Sequence, residues 1–144
     1  MPKGKGLTSA ASTTIEAPIT RVWDALVNPA IVKEYMFGAD VVSDWRVGSP
    51  IVWKGDYQGK KYEDKGIILK LDPGRVLQYT HYSPLTGKPD VPDNYHTVTI
   101  ELSCRDTGTT VTLSQDNNSD EEARAHTAEF WQGMLGTLKA LLEK

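Results

Sequence analysis

The chain has 144 residues, 39% hydrophobic and 24% charged, which fits one globular domain and excludes a disordered or membrane-bundle chain. Its 19 acids against 16 lysines and arginines leave a net charge of −3, so no global field draws it to nucleic acid or anionic lipid. A single cysteine, Cys104, excludes an internal disulfide framework and a cysteine-rich zinc site.

Residues 1–6 read as a flexible lead-in, because lysine and glycine there bury nothing. They carry no apolar stretch of the secretory kind, and no run in the chain approaches the ~20 apolar residues that span a bilayer. The expected compartment is the cytoplasm, and residues 7–144 are expected to form one domain. Leu7 to Glu16 is threonine-rich and reads as a strand. Pro18 is placed as the first residue of a helix, with Ile19, Val22, Trp23 and Leu26 on one stripe. Asn28 and Pro29 stop that helix and open a second as N-cap and first residue, with Ile31, Val32, Tyr35 and Met36 on its apolar face and Gly38 at its end.

The middle of the chain is rich in β-branched and aromatic residues. Strands are predicted at Val41–Val42, Ile51–Tyr57, Tyr62–Leu71, Val76–Tyr82, Tyr95–Cys104 and Thr109–Gln115. Short turns around Gly48, Gly59, Gly74 and Gly108 suit antiparallel pairing. Ser83 to Asp93 is longer and holds Pro84, Pro89 and Pro92; loops of that length are often functional. Ser119 and Glu122 form a capping box, with Asp120 and Glu121 adding charge at the positive end of a helix dipole. Behind it Thr127, Phe130, Trp131, Met134, Leu135, Leu138, Leu141 and Leu142 recur at helical spacing over about 24 residues, or roughly 36 Å. The order is strand, two short helices, six strands, one long helix. It predicts an α+β fold with the helices on one face of an antiparallel sheet.

The motifs match a known pattern. Ile15-x-Ala17-Pro18 leading to Val22-Trp23-Asp24-Ala25-Leu26 resembles the opening of the START-related SRPBCC superfamily. So do Trp45-Arg46-Val47-Gly48, the run Gly66 to Pro73 leading to Leu77 and Tyr79, the run Gly108 to Leu113, and Trp131 with Met134, Leu135 and Leu138. Within it the chain is similar to the domain related to activators of the ninety-kilodalton heat-shock protein's ATPase, over about residues 8–143. The resemblance implies the helix-grip fold of the major birch pollen allergen: a curved seven-stranded antiparallel sheet around a long C-terminal helix, often with an apolar cavity. Gly74, where relatives more often carry a second proline, and the length of loop 83–93 depart from the pattern.

No nucleotide fingerprint and no H-E-x-x-H motif occurs, and no cofactor or metal is expected. If Tyr82 lies opposite Tyr95, then His81 faces His96, Tyr79 faces Val98 and Leu77 faces Ile100, all on the apolar face. Two imidazoles there can bind a metal or act as acid and base, or they are half-buried histidines bonded to water or backbone. Cys104 continues the inward set Val98, Ile100 and Leu102 and is expected as a buried structural thiol. Trp53 and Tyr57 share a face with Ile51, and Tyr62 follows beyond the turn; they stack on a flat ligand or fill the core. Phe130, Trp131 and Met134 are the natural floor of any pocket, and core packing alone explains them as well.

The expected cavity is therefore lined by Trp53, Tyr57, Leu77, Tyr79, His81, His96, Val98, Ile100, Phe130 and Met134, with loop 83–93 near its mouth. The function expected is binding of a small hydrophobic or aromatic ligand. The alternatives are a cyclase- or hydratase-type enzyme using His81, His96 or Tyr79, and an interaction domain with a chaperone or homodimer contact. Full-length chaperone activators carry an additional N-terminal domain that this sequence does not include, which argues against the last.

Overall fold

The computed structural model describes residues 6–36, 38–57, 59–84 and 87–143, with the side chain of Tyr57 outside that description. All but Gly6 of the expected N-terminal lead-in lies outside it too, as do residues 58, 85 and 86 of the expected turns and loop. The chain runs β1 (Leu7–Ile15), α1 (Ile19–Val27), α2 (Pro29–Tyr35), β2 (Asp40–Ser43), β3 (Pro50–Tyr57), β4 (Lys60–Asp72), β5 (Val76–His81), β6 (His96–Arg105), β7 (Gly108–Asn118) and α3 (Glu121–Leu142). The strands form one curved antiparallel sheet in the order β1-β7-β6-β5-β4-β3-β2. This is the helix-grip fold. β1 and β2 follow each other in sequence yet lie at opposite edges, and α1 and α2 carry the chain between them. No helix among the described residues is long and apolar enough to cross a membrane.

The helix starts follow local chemistry. Pro18 sits one place earlier than predicted: it is the N-cap of α1, extended at φ −62° and ψ 152°, and Ile19 is the first helical residue. The side chain of Asn28 accepts from the Ala30 amide at 3.1 Å and caps α2, with Pro29 at the first turn. The Tyr35 hydroxyl donates to the Ala25 carbonyl at 2.8 Å and locks the two helices together. Burial pushes the pKa of that phenol far up.

The predicted cap of α3 is also corrected by one residue. Asp120, not Ser119, is the N-cap, and its Oδ1 accepts from the Ala123 amide at 2.8 Å. Glu121 pairs with Arg124 one turn on. Trp131, Met134, Leu135, Leu138 and Leu142 are buried, while Phe130 at the border of the stripe is 44% exposed.

α3 lies mainly along β1 and clasps its free edge. Gln132 donates to the Ser12 carbonyl at 2.9 Å and accepts from the Ser12 amide at 3.4 Å. Lys139 donates to the Thr14 carbonyl at 2.7 Å, and Glu143 accepts from the Glu16 amide at 2.8 Å. An unpaired strand edge is a template for aggregation, and here helix side chains occupy it. Because α3 leans toward β1 and β7, the concave face of β3, β4 and β5 is left partly uncovered.

Cys104 is exposed, contrary to the expected buried thiol. It has inward parity, but β5 begins at Val76 opposite Glu101, so beyond Leu102 the strand has no neighbour on that side. The core ends before the parity does.

Candidate functional site

The site is built on four neighbouring strands. On β3 and β4, Trp53 lies directly opposite Asp64, and Gly55 opposite Tyr62. Gly55 makes room for the Tyr62 ring, since a Cβ there would sit 2.4 Å from the Tyr62 hydroxyl. On β5 and β6 the pairs are Leu77 with Ile100, Tyr79 with Val98 and His81 with His96, as the register argument expects. Tyr82 falls just past the end of β5, and its ring stacks on Tyr95 with centroids 5.3 Å apart.

Asp64 and His81 meet diagonally across β4 and β5. Ile68 pairs with Tyr79 and Lys65 bridges to Tyr82, so Asp64, Ile68, Tyr79 and His81 share the concave face. Gly66 allows the two strands this close approach: a Cβ on it would lie 1.7 Å from the Thr80 carbonyl oxygen. His81 Nε2 is 3.0 Å from Asp64 Oδ2. An ionised carboxylate only accepts, so Nε2 carries a proton, and in the neutral form of the ring the lone pair is on Nδ1. The other oxygen, Asp64 Oδ1, is buried with no hydrogen-bond partner among the described residues.

Aromatic rings frame this pair. Trp53 lies 5.0 Å from the Tyr79 ring and 5.1 Å from the His81 ring, edge-on to the latter. Burial holds Tyr79 protonated, pushing its pKa well above the usual phenol value. Burial, then the nearby Asp64 charge, raises Tyr62 as well. On the helix side, Trp131 donates from Nε1 to Gln115 Oε1 at 2.7 Å, and Phe130 stands edge-on to Trp131 at 5.0 Å.

Between these walls lies a cavity of about 300 Å³. Of the ten predicted residues, Trp53, Tyr79, His81 and Phe130 line it, joined by Met36, Tyr62, Asp64, Gln115, His126 and Trp131. Leu77, Ile100 and Met134 lie deeper, around a void of about 30 Å³ that also touches Trp53 and Tyr79. Val98 is 1% exposed and belongs to the core. His96 is not in this cavity. It lines a second, more polar one of about 330 Å³ with His81, Ser83, Lys88, Asp93 and Asn94. Loop 83–93 thus borders the second cavity, not the first. Tyr57 was also expected here, and its side chain lies outside the described residues.

His96 donates from Nδ1 to the Asp116 carbonyl at 2.9 Å. Burial is the main cause lowering its pKa, and the His81 ring opposite lowers it further, against the raising effect of that hydrogen bond. Asp64 and Gln115 were missed from sequence. Gln115 carried no signal, because it pairs with a residue on another element. Asp64 needed the β4–β5 register.

A family model described as Activator of Hsp90 ATPase homolog 1-like protein matches residues 16–143. The chain belongs to this family. No curated protein matches it. Among solved structures similar to this family member is that of ChR145 from Cytophaga hutchinsonii, 56% identical with a TM-score of 0.85, covering 95% of this chain and 94% of that one. The Aha1 dimer from Colwellia psychrerythraea is 21% identical, with a TM-score of 0.75 and coverage of 95% and 96%. CalU16 from Micromonospora echinospora is 21% identical, with a TM-score of 0.74 and coverage of 94% and 75%. The last two share the fold of the family.

Proposed function

We propose that the chain is a cytoplasmic binding module holding a small aromatic or apolar molecule between the sheet and α3. One observation carries this reading: Asp64 lines the cavity with Trp53, Tyr62 and Tyr79, and its Oδ1 is buried with no hydrogen-bond partner among the described residues. A buried acceptor left unpaired is costly, and a ligand hydroxyl or N–H is a natural partner. A volume of about 300 Å³ lies at the small end of ligand sites, which suits a one- or two-ring molecule. Apolar surface predominates in the wall, with the polar groups of Asp64, His81, Gln115 and His126 set into it, as in sites that orient a ligand. The family's helix-grip architecture is consistent with such a cavity.

A second reading is favoured by the 3.0 Å bond between His81 and Asp64. A carboxylate that fixes the tautomer of an imidazole beside a protonated tyrosine is an arrangement suited to general acid–base work, of the cyclase or hydratase kind.

Native mass spectrometry of protein purified from its own host tests the first reading. A co-purifying small organic mass, lost in Trp53→Ala, supports it. Apo protein alone, together with no thermal shift from a panel of one- and two-ring aromatics, overturns it. The second reading requires that Asp64→Asn and His81→Ala stop turnover of that molecule while it still binds.

A further inference from the structure

The two cavities share one lining residue, His81. His81 and His96 are direct cross-strand partners on one face, near enough for the charge of one ring to disfavour charge on the other. Each ring is held by an acceptor: His81 Nε2 by the Asp64 carboxylate, His96 Nδ1 by the Asp116 carbonyl. In its neutral form each ring donates through that nitrogen and keeps a lone pair on the other. His81 Nδ1 and His96 Nε2 have no partner among the described residues.

Most of the side-chain amide N–H groups around the second cavity are already committed. Asn94 Nδ2 donates to the Pro89 carbonyl at 2.8 Å, and Asn117 Nδ2 to those of Asp93 and Tyr95 at 2.8 and 3.0 Å. Asn118 Nδ2 is shared among Leu7, Ser9 and Gln115. The rim carries one lysine, Lys88, and one carboxylate, Asp93. What the paired rings offer is two acceptors side by side, with the Asp64 carboxylate behind one of them. A hydroxyl has one proton to give; a primary amine, with two or three, can satisfy both rings.

With the aromatic cavity of the proposed function as the seat of the ring, we infer that the ligand is an aromatic primary amine whose amino group crosses His81 into the second cavity and donates to His81 and His96. The second cavity is then a polar subsite of one elongated site, and the histidine pair selects for the amine.

Three indole probes test this by calorimetric titration of the whole chain: 3-methylindole, tryptamine and indole-3-acetate. Tryptamine is expected to bind about tenfold or more tighter than 3-methylindole, as two added hydrogen bonds allow, and indole-3-acetate weakest. His96→Phe is expected to erase the tryptamine advantage and leave 3-methylindole unchanged. Imidazole ¹⁵N spectra of the unmutated protein supply a readout independent of any variant: tryptamine should shift His81 Nδ1 and His96 Nε2, and 3-methylindole should not. If 3-methylindole binds and tryptamine binds no tighter, or the acetate binds best, the amine subsite is overturned and the aromatic cavity stands. If none of the three binds, the aromatic-cavity reading fails and takes the subsite with it.

Discussion

Asp64 and His81 are joined at 3.0 Å although their backbones are not partners: they meet on the diagonal of the β4–β5 ladder. Both side chains are largely shielded, at 15% and 27% exposure. Removing the carboxylate in Asp64→Ala leaves the His81 N–H without its acceptor and should cost about 1–2 kcal/mol. Urea unfolding measures it. A loss within error would mean that water replaces the carboxylate freely and that the pair is not a fixed element of the site.

A β-bulge sets this diagonal. Near the turn Lys70 pairs with Gln78, but beyond the irregularity Ile68 pairs with Tyr79, so one residue of β4 is skipped. Counting back from the turn without the bulge places Lys65, not Asp64, on the face of His81. A slip of one reverses every side chain, which is why Asp64 was illegible in the sequence. The β5–β6 register has no such interruption, so placing Tyr82 opposite Tyr95 was enough to set His81 opposite His96. The long apolar stripe of α3 was legible for the same reason: periodicity is local. Its cap was not, because Ser119 and Asp120 are both good N-caps and only geometry chooses between them. Phe130 shows the limit of a wide stripe, whose border residues are decided by the opposing sheet.

The cap can be tested directly. Asp120→Ala should cost about 1 kcal/mol by losing its bond to the Ala123 amide, whereas Ser119→Ala should stay within about 0.5 kcal/mol of the parent. Equal effects of the two, by thermal unfolding, would place the cap elsewhere.

The helix faces separate in a second pair of variants. Met134 is 3% exposed, and Met134→Asp should cost about 3 kcal/mol or more by burying an unpaired charge. Phe130→Ser, on the half-exposed border, should cost about 1 kcal/mol or less. A Met134→Asp protein that melts like the parent would contradict the packing of α3.

Gly66 and Gly55 differ in what surrounds them. In Gly66→Ala the new Cβ meets backbone at 1.7 Å, and β4 and β5 must part, which should cost about 3 kcal/mol or more. In Gly55→Ala the obstacle is the Tyr62 ring, which can swing away. That variant should remain folded with altered near-ultraviolet circular dichroism and weaker ligand binding. The reverse ranking in unfolding experiments would refute this reading of the two strands.

His96 predicts an acid limb of stability. Its folded pKa lies below the ordinary value of 6.5 because burial penalises the charged ring. Above 6.5 the ring is neutral in both states and pH has no effect through it. Below 6.5 the unfolded chain takes up the proton first, so stability falls as pH drops from 6.5 through the lower folded pKa. His96→Asn should flatten this part of the pH–stability curve. An unchanged slope would show that the ring titrates freely in the folded protein.

The clasp between Gln132 and Ser12 makes the edge of the sheet a clock for the cavity. An edge-strand amide facing outward normally exchanges its hydrogen with solvent almost at once. That of Ser12 donates to Gln132 of α3, so its exchange should slow while the helix is seated and speed up when it lifts. The same lifting would widen the gap between helix and sheet beside the cavity proposed to hold a ligand. Hydrogen exchange at this one backbone position should therefore report on those openings. A bound ligand that holds α3 down would slow it in proportion to occupancy.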